Sequence, residues 1–378
     1  MKLALLFDHF GPYHLARLRA AAAMNDTVGI EFAARSGEYA WDLADRSGLT
    51  IFTLPKGRDW SSSLTARLTE CAPDAVAVPG WSSKGALETL RWCLSHRVPA
   101  VVMSESTAHD EKRQPWKEIP KRRIVSLFSA GLAGGRAHAD YLFQLGMCRT
   151  RIFLGYDAVD NAHFARPQRL SEPVGEGFLA SARFVEKKNL PNLLRAYAIY
   201  VKSCAADEAW PLTLLGDGDL RPRLEAMVSE LGLQDLVTMP GFKQYQELPG
   251  YYRAARVFIH ASTTEQWGLV VNEAMAAGLP VIVSNRCGCA PDLVRGGVNG
   301  YAFNPFDVEE MARAMMKMTK LPEDRLVTMG QESARIIAEW GPERFARGLS
   351  DATVCAREQE PLKASMLDSL LLKVLTRR

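Results

Sequence analysis

Short apolar runs alternate with segments of helical periodicity through most of the chain, the pattern of repeated strand–helix–strand units and a parallel sheet. In the first half, the runs at residues 3–7, 30–33, 75–78, 100–103, 131–133 and 152–154 predict strands; in the second, those at 178–180, 212–215, 237–239, 257–259 and 281–283 do so. Residues 166–177 carry two prolines and two glycines and read as a linker. The expected fold class is α/β, with parallel-sheet domains at residues 1–166 and 167–341 facing one another across a cleft and ligands beyond the carboxyl ends of the strands. Residues 342–378 read as helical, and Leu362, Met366, Leu367, Leu370, Leu371, Val374 and Leu375 recur there at helical spacing. That last helix can pack on its own domain, return to the first, or lie on a membrane surface.

The densest chemistry follows the strand at 257–259, in the run from His260 through Glu265, Gly268 and Glu273 to Gly278. A helix is expected from near Gly268 to Gly278, where a glycine followed two positions later by Pro280 marks a stop. Glu273 then falls in the second turn and Glu265 in the preceding loop. On one continuous helix their spacing would rotate the carboxylates apart by roughly 80°, so loop plus helix is the arrangement in which both reach one ligand. Between them, the amides of residues 268–271 form a helix N-terminus that attracts an anion. Two carboxylates and an anion hole suit a ligand bearing both hydroxyls and phosphates, such as a nucleotide sugar.

Arg183 follows the first strand of the second half, and Lys188 opens the helix after it. Cations at a strand end can clamp a diphosphate, Arg by bidentate contact and Lys as a point charge. Lys187 is adjacent, which leaves the register open by one.

The run from Glu265 to Glu273 resembles the Glu, seven residues, Glu signature of retaining glycosyltransferases of the GT-B fold, most closely glycosyltransferase family four. Gly268, Leu269 and Val270 lie in its middle, Ala274 follows the second Glu, and Gly278-Leu-Pro-Val-Ile closes it. The resemblance implies two Rossmann-like domains with a C-terminal helix crossing back to the N-terminal one. It places Glu273 on the ribose hydroxyls and Glu265 on hydroxyls of the transferred sugar. It also puts both cations on the donor phosphates, although Ala182 and Asn189 stand where family members carry glycines. Gly216 and the turn at 240–243, with Phe242, match loops on the nucleobase side. Thr107-Ala108-His109-Asp110 is similar to the motif that sets a His, here His109, near the transferred sugar. Gly11 lies in the first strand-to-helix loop, where members often have a Gly-Gly pair against the donor phosphates. Pro12 replaces the second glycine and removes an N–H donor, which suits this loop to the acceptor instead. His14 reads as a helix-start residue.

With 378 residues, 47% of them hydrophobic and 24% charged, the chain can form two ordinary globular domains. A net charge of +3 gives no argument for nucleic acid. Seven scattered cysteines favour a reducing cytoplasm over a disulfide framework. Cys287 and Cys289 have no further ligand at metal-binding spacing. Asp217 and Asp219 read as caps of a following helix rather than as a metal-binding pair. No signal peptide is expected, and no apolar run approaches the ~18 residues of a membrane span. Residues 111–123 hold six cations, Lys112, Arg113, Lys117, Lys121, Arg122 and Arg123, with Trp116 among them. They read either as a solvated face or as a contact for anionic membrane or a lipid-diphosphate acceptor.

The expectation is a metal-independent retaining glycosyltransferase that moves a hexose-type sugar to a hydroxyl acceptor and makes an α-glycoside, in cell-surface polysaccharide or glycolipid synthesis. No cofactor is expected besides a UDP- or GDP-sugar as co-substrate, and the acceptor is a saccharide or lipid-linked. The expected location is cytoplasmic, with peripheral contact on the inner face of the plasma membrane. A nucleotide-sugar isomerase or hydrolase of the same fold, and a non-catalytic carbohydrate-binding protein, stay open as alternatives.

Overall fold

The computed structural model describes residues 1–32, 42, 45–57, 59–111, 113–165, 175–205, 208–360 and 362–377. The chain divides into two compact units, Met1–Val159 with Trp340–Arg378, and Asp160–Glu339. The first division falls at Val159 and not at 166. Helix Asn161–Phe164 packs on two helices of the second unit, Leu248–Ala254 and Leu269–Ala276, and Asn161 donates to Ile337 O at 2.8 Å. Residues 166–174 of the expected linker lie outside the described residues.

In the first unit the elements are β1 (Lys2–Phe7), α1 (Pro12–Met24), β2 (Asp26–Glu31), β3 (Ile51–Thr53), α2 (Trp60–Cys71), β4 (Ala75–Pro79), α3 (Lys84–His96), β5 (Ala100–Ser104), α4 (Pro115–Val125), β6 (Ala130–Ala133), α5 (Arg136–Gln144) and β7 (Ile152–Leu154). The second unit contains α6 (Asn161–Phe164), β8 (Phe178–Ser181), α7 (Leu190–Lys202), β9 (Leu212–Leu215), α8 (Arg221–Glu230), β10 (Val237–Gly241), α9 (Leu248–Ala254), β11 (Val257–His260), α10 (Leu269–Ala276), β12 (Val281–Ser284), α11 (Ala290–Leu293), β13 (Gly300–Phe303), α12 (Val308–Thr319) and α13 (Glu323–Ala338). The chain then re-enters the first unit as α14 (Pro342–Glu358) and α15 (Met366–Arg377).

Among the described residues the first unit has one seven-stranded sheet, ordered β3-β2-β1-β4-β5-β6-β7, and the second a six-stranded one, ordered β10-β9-β8-β11-β12-β13. All the pairings are parallel. Helices cover the sheets, so β1, β5, β11 and β12 are buried along nearly their whole length and read as unbroken apolar runs. Strand order reverses between β1 and β4, and between β8 and β11. Loops diverge at such a switch point and leave room for a ligand at the strand ends.

Three strands depart from expectation. β2 begins at Asp26, since Gly29 pairs with Leu5 where an added Cβ would meet the Phe10 ring at 2.8 Å. β3, a three-residue half-exposed edge strand, and β13, which begins at Gly300 against Val281, carry too little apolar sequence to stand out.

The C-terminal helices pack on the first unit. α14 lies along α1, and Gly348 lets it approach β7 so closely that a Cβ would sit 2.4 Å from Leu154 O. α15 rests on α3 and α4 through Leu372, with Leu371 and Leu375 on the same core. Ser365 and Asp368 form a reciprocal cap at its start, and Arg123 of α4 pairs with Asp368. Its opposite face is apolar and open: Met366 is 92% exposed, Leu367 74% and Leu370 59%. On α4, Trp116 and Ile119 are exposed to similar degree.

The basic face expected at 111–123 is smaller in the structure. Arg113 turns back onto the carbonyls of Thr107 and Ala108, Lys121 pairs with Glu111 and Glu118, and Arg123 is held by Asp368. Lys117, over the Trp116 ring, and Arg122 remain toward solvent, while Lys112 lies outside the described residues. No helix among the described residues is long and apolar enough to cross a membrane.

Candidate functional site

The second unit's switch point holds most of the candidate residues. β8 leads into Arg183, then a single 3-10 turn at Glu186–Lys188, and α7. Asn189 joins the turn to α7 with φ +59°, a left-handed conformation that Asn tolerates better than most residues. Its side chain also donates to Ala261 O at 3.1 Å and Pro305 O at 2.8 Å, tying the turn to the loop after β11. This explains how Asn can stand where a glycine was expected.

The turn also fixes the lysine register. Lys187 is exposed and uses its carbonyl to accept from Thr263 N, whereas Lys188 turns inward and pairs with Glu265. One oxygen of Glu265, Oε2, therefore receives the Lys188 ammonium, the Ser262 hydroxyl at 3.2 Å and the His260 imidazole at 3.4 Å. Burial by itself would push this carboxyl up, but the His260 hydrogen bond and the Lys188 charge outweigh it and hold it well below the usual carboxylate range.

Backbone contacts fix the loop that carries Glu265. Its amide donates to Arg286 O, its carbonyl accepts from Gly288 N, and Trp267, fully buried, donates its indole N–H to Asn272 at 2.8 Å. Gly268, at φ +104°, opens α10. The Val271 amide bonds back to Gly268 O, so the expected anion-binding set of 268–271 shrinks to the amides of Gly268, Leu269 and Val270. At the other end Gly278 is left-handed, and Leu279 N reaches Ala274 O while Gly278 N reaches Met275 O, a Schellman stop where one was expected.

Glu273 sits in the second turn of α10, buried, and accepts the Tyr252 hydroxyl at 2.6 Å. Gly216 follows β9 at φ +129°, where a Cβ would lie 2.0 Å from Ala182 O, so the β8 and β9 loops touch backbone to backbone. Phe242, partly exposed, follows Gly241 at the end of β10, whose carbonyl receives Gly216 N. The helix-cap expectation for Asp217 and Asp219 is corrected. α8 starts from Leu220 without a side-chain cap, while Asp217 accepts from Gly218 N and pairs with Arg221.

His109 and Gly11 belong to the first unit. His109 is exposed in the turn after β5, where Thr107 bonds Asp110 through both its amide and its hydroxyl. Gly11 is the N-cap residue of α1, with Pro12 in the first helical position, and His14 lies in that first turn, as a helix-start residue should.

Sequence reading missed His260, Ser262 and Tyr252. The signal for the first two was their place at the carboxyl end of a strand just before Glu265. Tyr252, on α9, gave none.

Two parallel-sheet α/β units, the second with a lysine–glutamate pair at its switch point beside a helix N-terminus, define the GT-B fold of glycosyltransferases. Residues 165–334 match the family model described as glycosyl transferases group 1. Among curated proteins, the amylovoran biosynthesis glycosyltransferase AmsK of Erwinia amylovora is 28% identical over 179 residues, 46% of this chain and 43% of the relative. Mannosylfructose-phosphate synthase of Agrobacterium fabrum is 36% identical over 120 residues, 31% of this chain and 26% of the relative. The matches thus span less than half the length of either. Among solved structures, Anabaena HepE in complex with UDP and glucose superposes with a TM-score of 0.73 at 19% identity, covering 93% of this chain and 98% of that one.

Proposed function

We propose that this protein transfers a sugar from a nucleotide sugar, with UDP as the first nucleotide to test, to a hydroxyl acceptor with retention and without a metal. The observation that carries the reading is the Lys188–Glu265 pair at the β8/β11 switch point, next to the amides that open α10. A leaving nucleoside diphosphate gains negative charge, and fixed donors aimed at that charge lower the barrier. Lys188, Arg183 and the amides of Gly268, Leu269 and Val270 supply those donors. Glu265 offers acceptors for sugar hydroxyls and Glu273 for the ribose, Gly216 and Phe242 border the base, and His109 and Gly11 serve the sugar and acceptor side. Anabaena HepE, solved with UDP and with UDP-glucose, supports UDP as the starting choice. AmsK supports an acceptor in polysaccharide synthesis.

The test is incubation with UDP-glucose, UDP-galactose and GDP-mannose, with and without saccharide and lipid-linked acceptors. Acceptor-dependent release of nucleoside diphosphate and an α-linkage by NMR are expected. Release at the same rate without acceptor would favour a hydrolase, and a β-linkage would end the retaining assignment.

The acceptor, on this reading, is lipid-linked and met at an anionic bilayer, with α15 and α4 as the contact. An apolar row that faces away from the core is unusual for a helix already packed through its other side. α15 packs on α4, whose Trp116 and Ile119 are also exposed; Lys117 and Arg122 of α4 and Lys373 of α15 add positive charge on these two helices, and Asp368 is paired with Arg123. Binding to vesicles containing phosphatidylglycerol, weakening as salt rises, is the expected result. Leu367→Asp with Leu370→Asp should reduce it by about 10-fold or more. Equal binding to neutral vesicles, or self-association through this face, would sink the idea.

A further inference from the structure

The Lys188–Glu265 pair raises a question of charge when a diphosphate arrives. One carboxylate oxygen of Glu265 holds Lys188, Ser262 and His260 together. A diphosphate competes for the ammonium, and an ionised carboxylate that loses its cation in a buried setting must find another partner. His260 is the group placed to be that partner. It ends β11, is 3% exposed, lies nearly parallel to the Phe258 ring, and directs Nε2 at Glu265 and at Ser262 Oγ, 3.1 Å away. We propose that His260 is a positioning residue that takes a proton from solvent as the donor diphosphate draws Lys188 away, and so keeps the Glu265 carboxylate ionised and in place. The proposal rests on Lys188 being a phosphate-binding cation.

The titratable groups acting on the imidazole are Glu265 in its own loop and Lys188 on the turn after β8, while Cys287, on the segment that pairs with Glu265, lies under the influence of the same two charges. Burial raises the Cys287 thiol, so it stays neutral. Burial also lowers His260, the Glu265 hydrogen bond raises it and the Lys188 charge lowers it, with lowering prevailing. The ring is therefore neutral near pH 7 while Lys188 is present. Removing the ammonium deletes a lowering influence and leaves Glu265, whose effect is to raise. The sign is proton uptake, and donor affinity should weaken as pH rises.

The test has two arms. In the first, ligand-free, the His260 imidazole is followed by NMR against pH, with its signal assigned from His260→Gln. Lys188→Ala should raise its midpoint by about one unit or more, and Glu265→Gln should lower it. In the second, UDP-glucose and GDP-mannose are titrated at pH 7.5 in buffers of different ionisation enthalpy. Both are diphosphate diesters and lack the ionisation at about pH 6 of a terminal phosphate. Wild type should take up a substantial fraction of a proton, and His260→Gln should not. An unmoved or lowered midpoint in Lys188→Ala overturns the coupling. Equal uptake by wild type and His260→Gln overturns the role of His260. If neither sugar binds while Lys188→Ala still shifts the midpoint, it is the donor reading that is overturned, and the coupling stands without it.

Discussion

Replacing Lys188 by alanine is expected to lower kcat/KM for sugar transfer by about 100- to 1,000-fold, the loss seen when one fixed donor to a developing anion is removed. Lys188 is the inward cation of the turn after β8, and its exposed neighbour Lys187 points away, so the neighbour cannot substitute. Glu265 keeps Ser262 and His260 as partners in the variant, so the loop should stay folded. Initial rates and a denaturant midpoint, measured together, separate the two effects. Lys187→Ala is the control and should stay within about threefold of wild type, since a solvent-exposed charge at this distance is screened. A Lys188→Ala enzyme with an unchanged rate and midpoint would remove this residue from the donor site.

Gly216→Ala should cost about 3 kcal/mol of unfolding free energy, a strain and overpacking effect at a backbone conformation that side chains avoid. The methyl would lie 2.0 Å from Ala182 O, and because that atom is backbone, no rotamer change relieves the clash. The β8 loop must shift instead, and Arg183 and Lys188 shift with it. Nucleotide affinity should therefore fall along with stability. Urea unfolding followed by tryptophan fluorescence gives the first, and UDP titration the second. Gly250→Ala on α9, where a Cβ meets nothing within 4 Å, should be neutral or slightly stabilising. If the two variants behave alike, close backbone approach at Gly216 is not what fixes these loops.

Much of the architecture is legible locally. Strands that lie inside a parallel sheet are apolar on both faces, so β1, β5, β11 and β12 announce themselves as short continuous runs. The start and stop of α10 follow from Gly268 and Gly278, because only a glycine adopts their positive φ cheaply. Edge strands such as β3 are invisible by the same logic, since half-exposed positions need no apolar pattern. The Asp217 reading failed because a capping residue and a turn residue that pairs with Arg221 use the same side chain, and sequence does not say which backbone N–H is near.

The alternating α/β plan, the Glu265 to Glu273 spacing and the presence of cations after β8 are all written in the linear chain. These are properties of period and composition within a short stretch of chain. Tertiary structure alone decided which lysine faces the site, because that depends on Asn189 bonding to Ala261 and Pro305. It also decided that Arg123 is spent on Asp368, 245 residues away, and that three donors converge on one oxygen of Glu265. Through-space pairing has no signature in a linear pattern, and the electrostatics of this site arise from it.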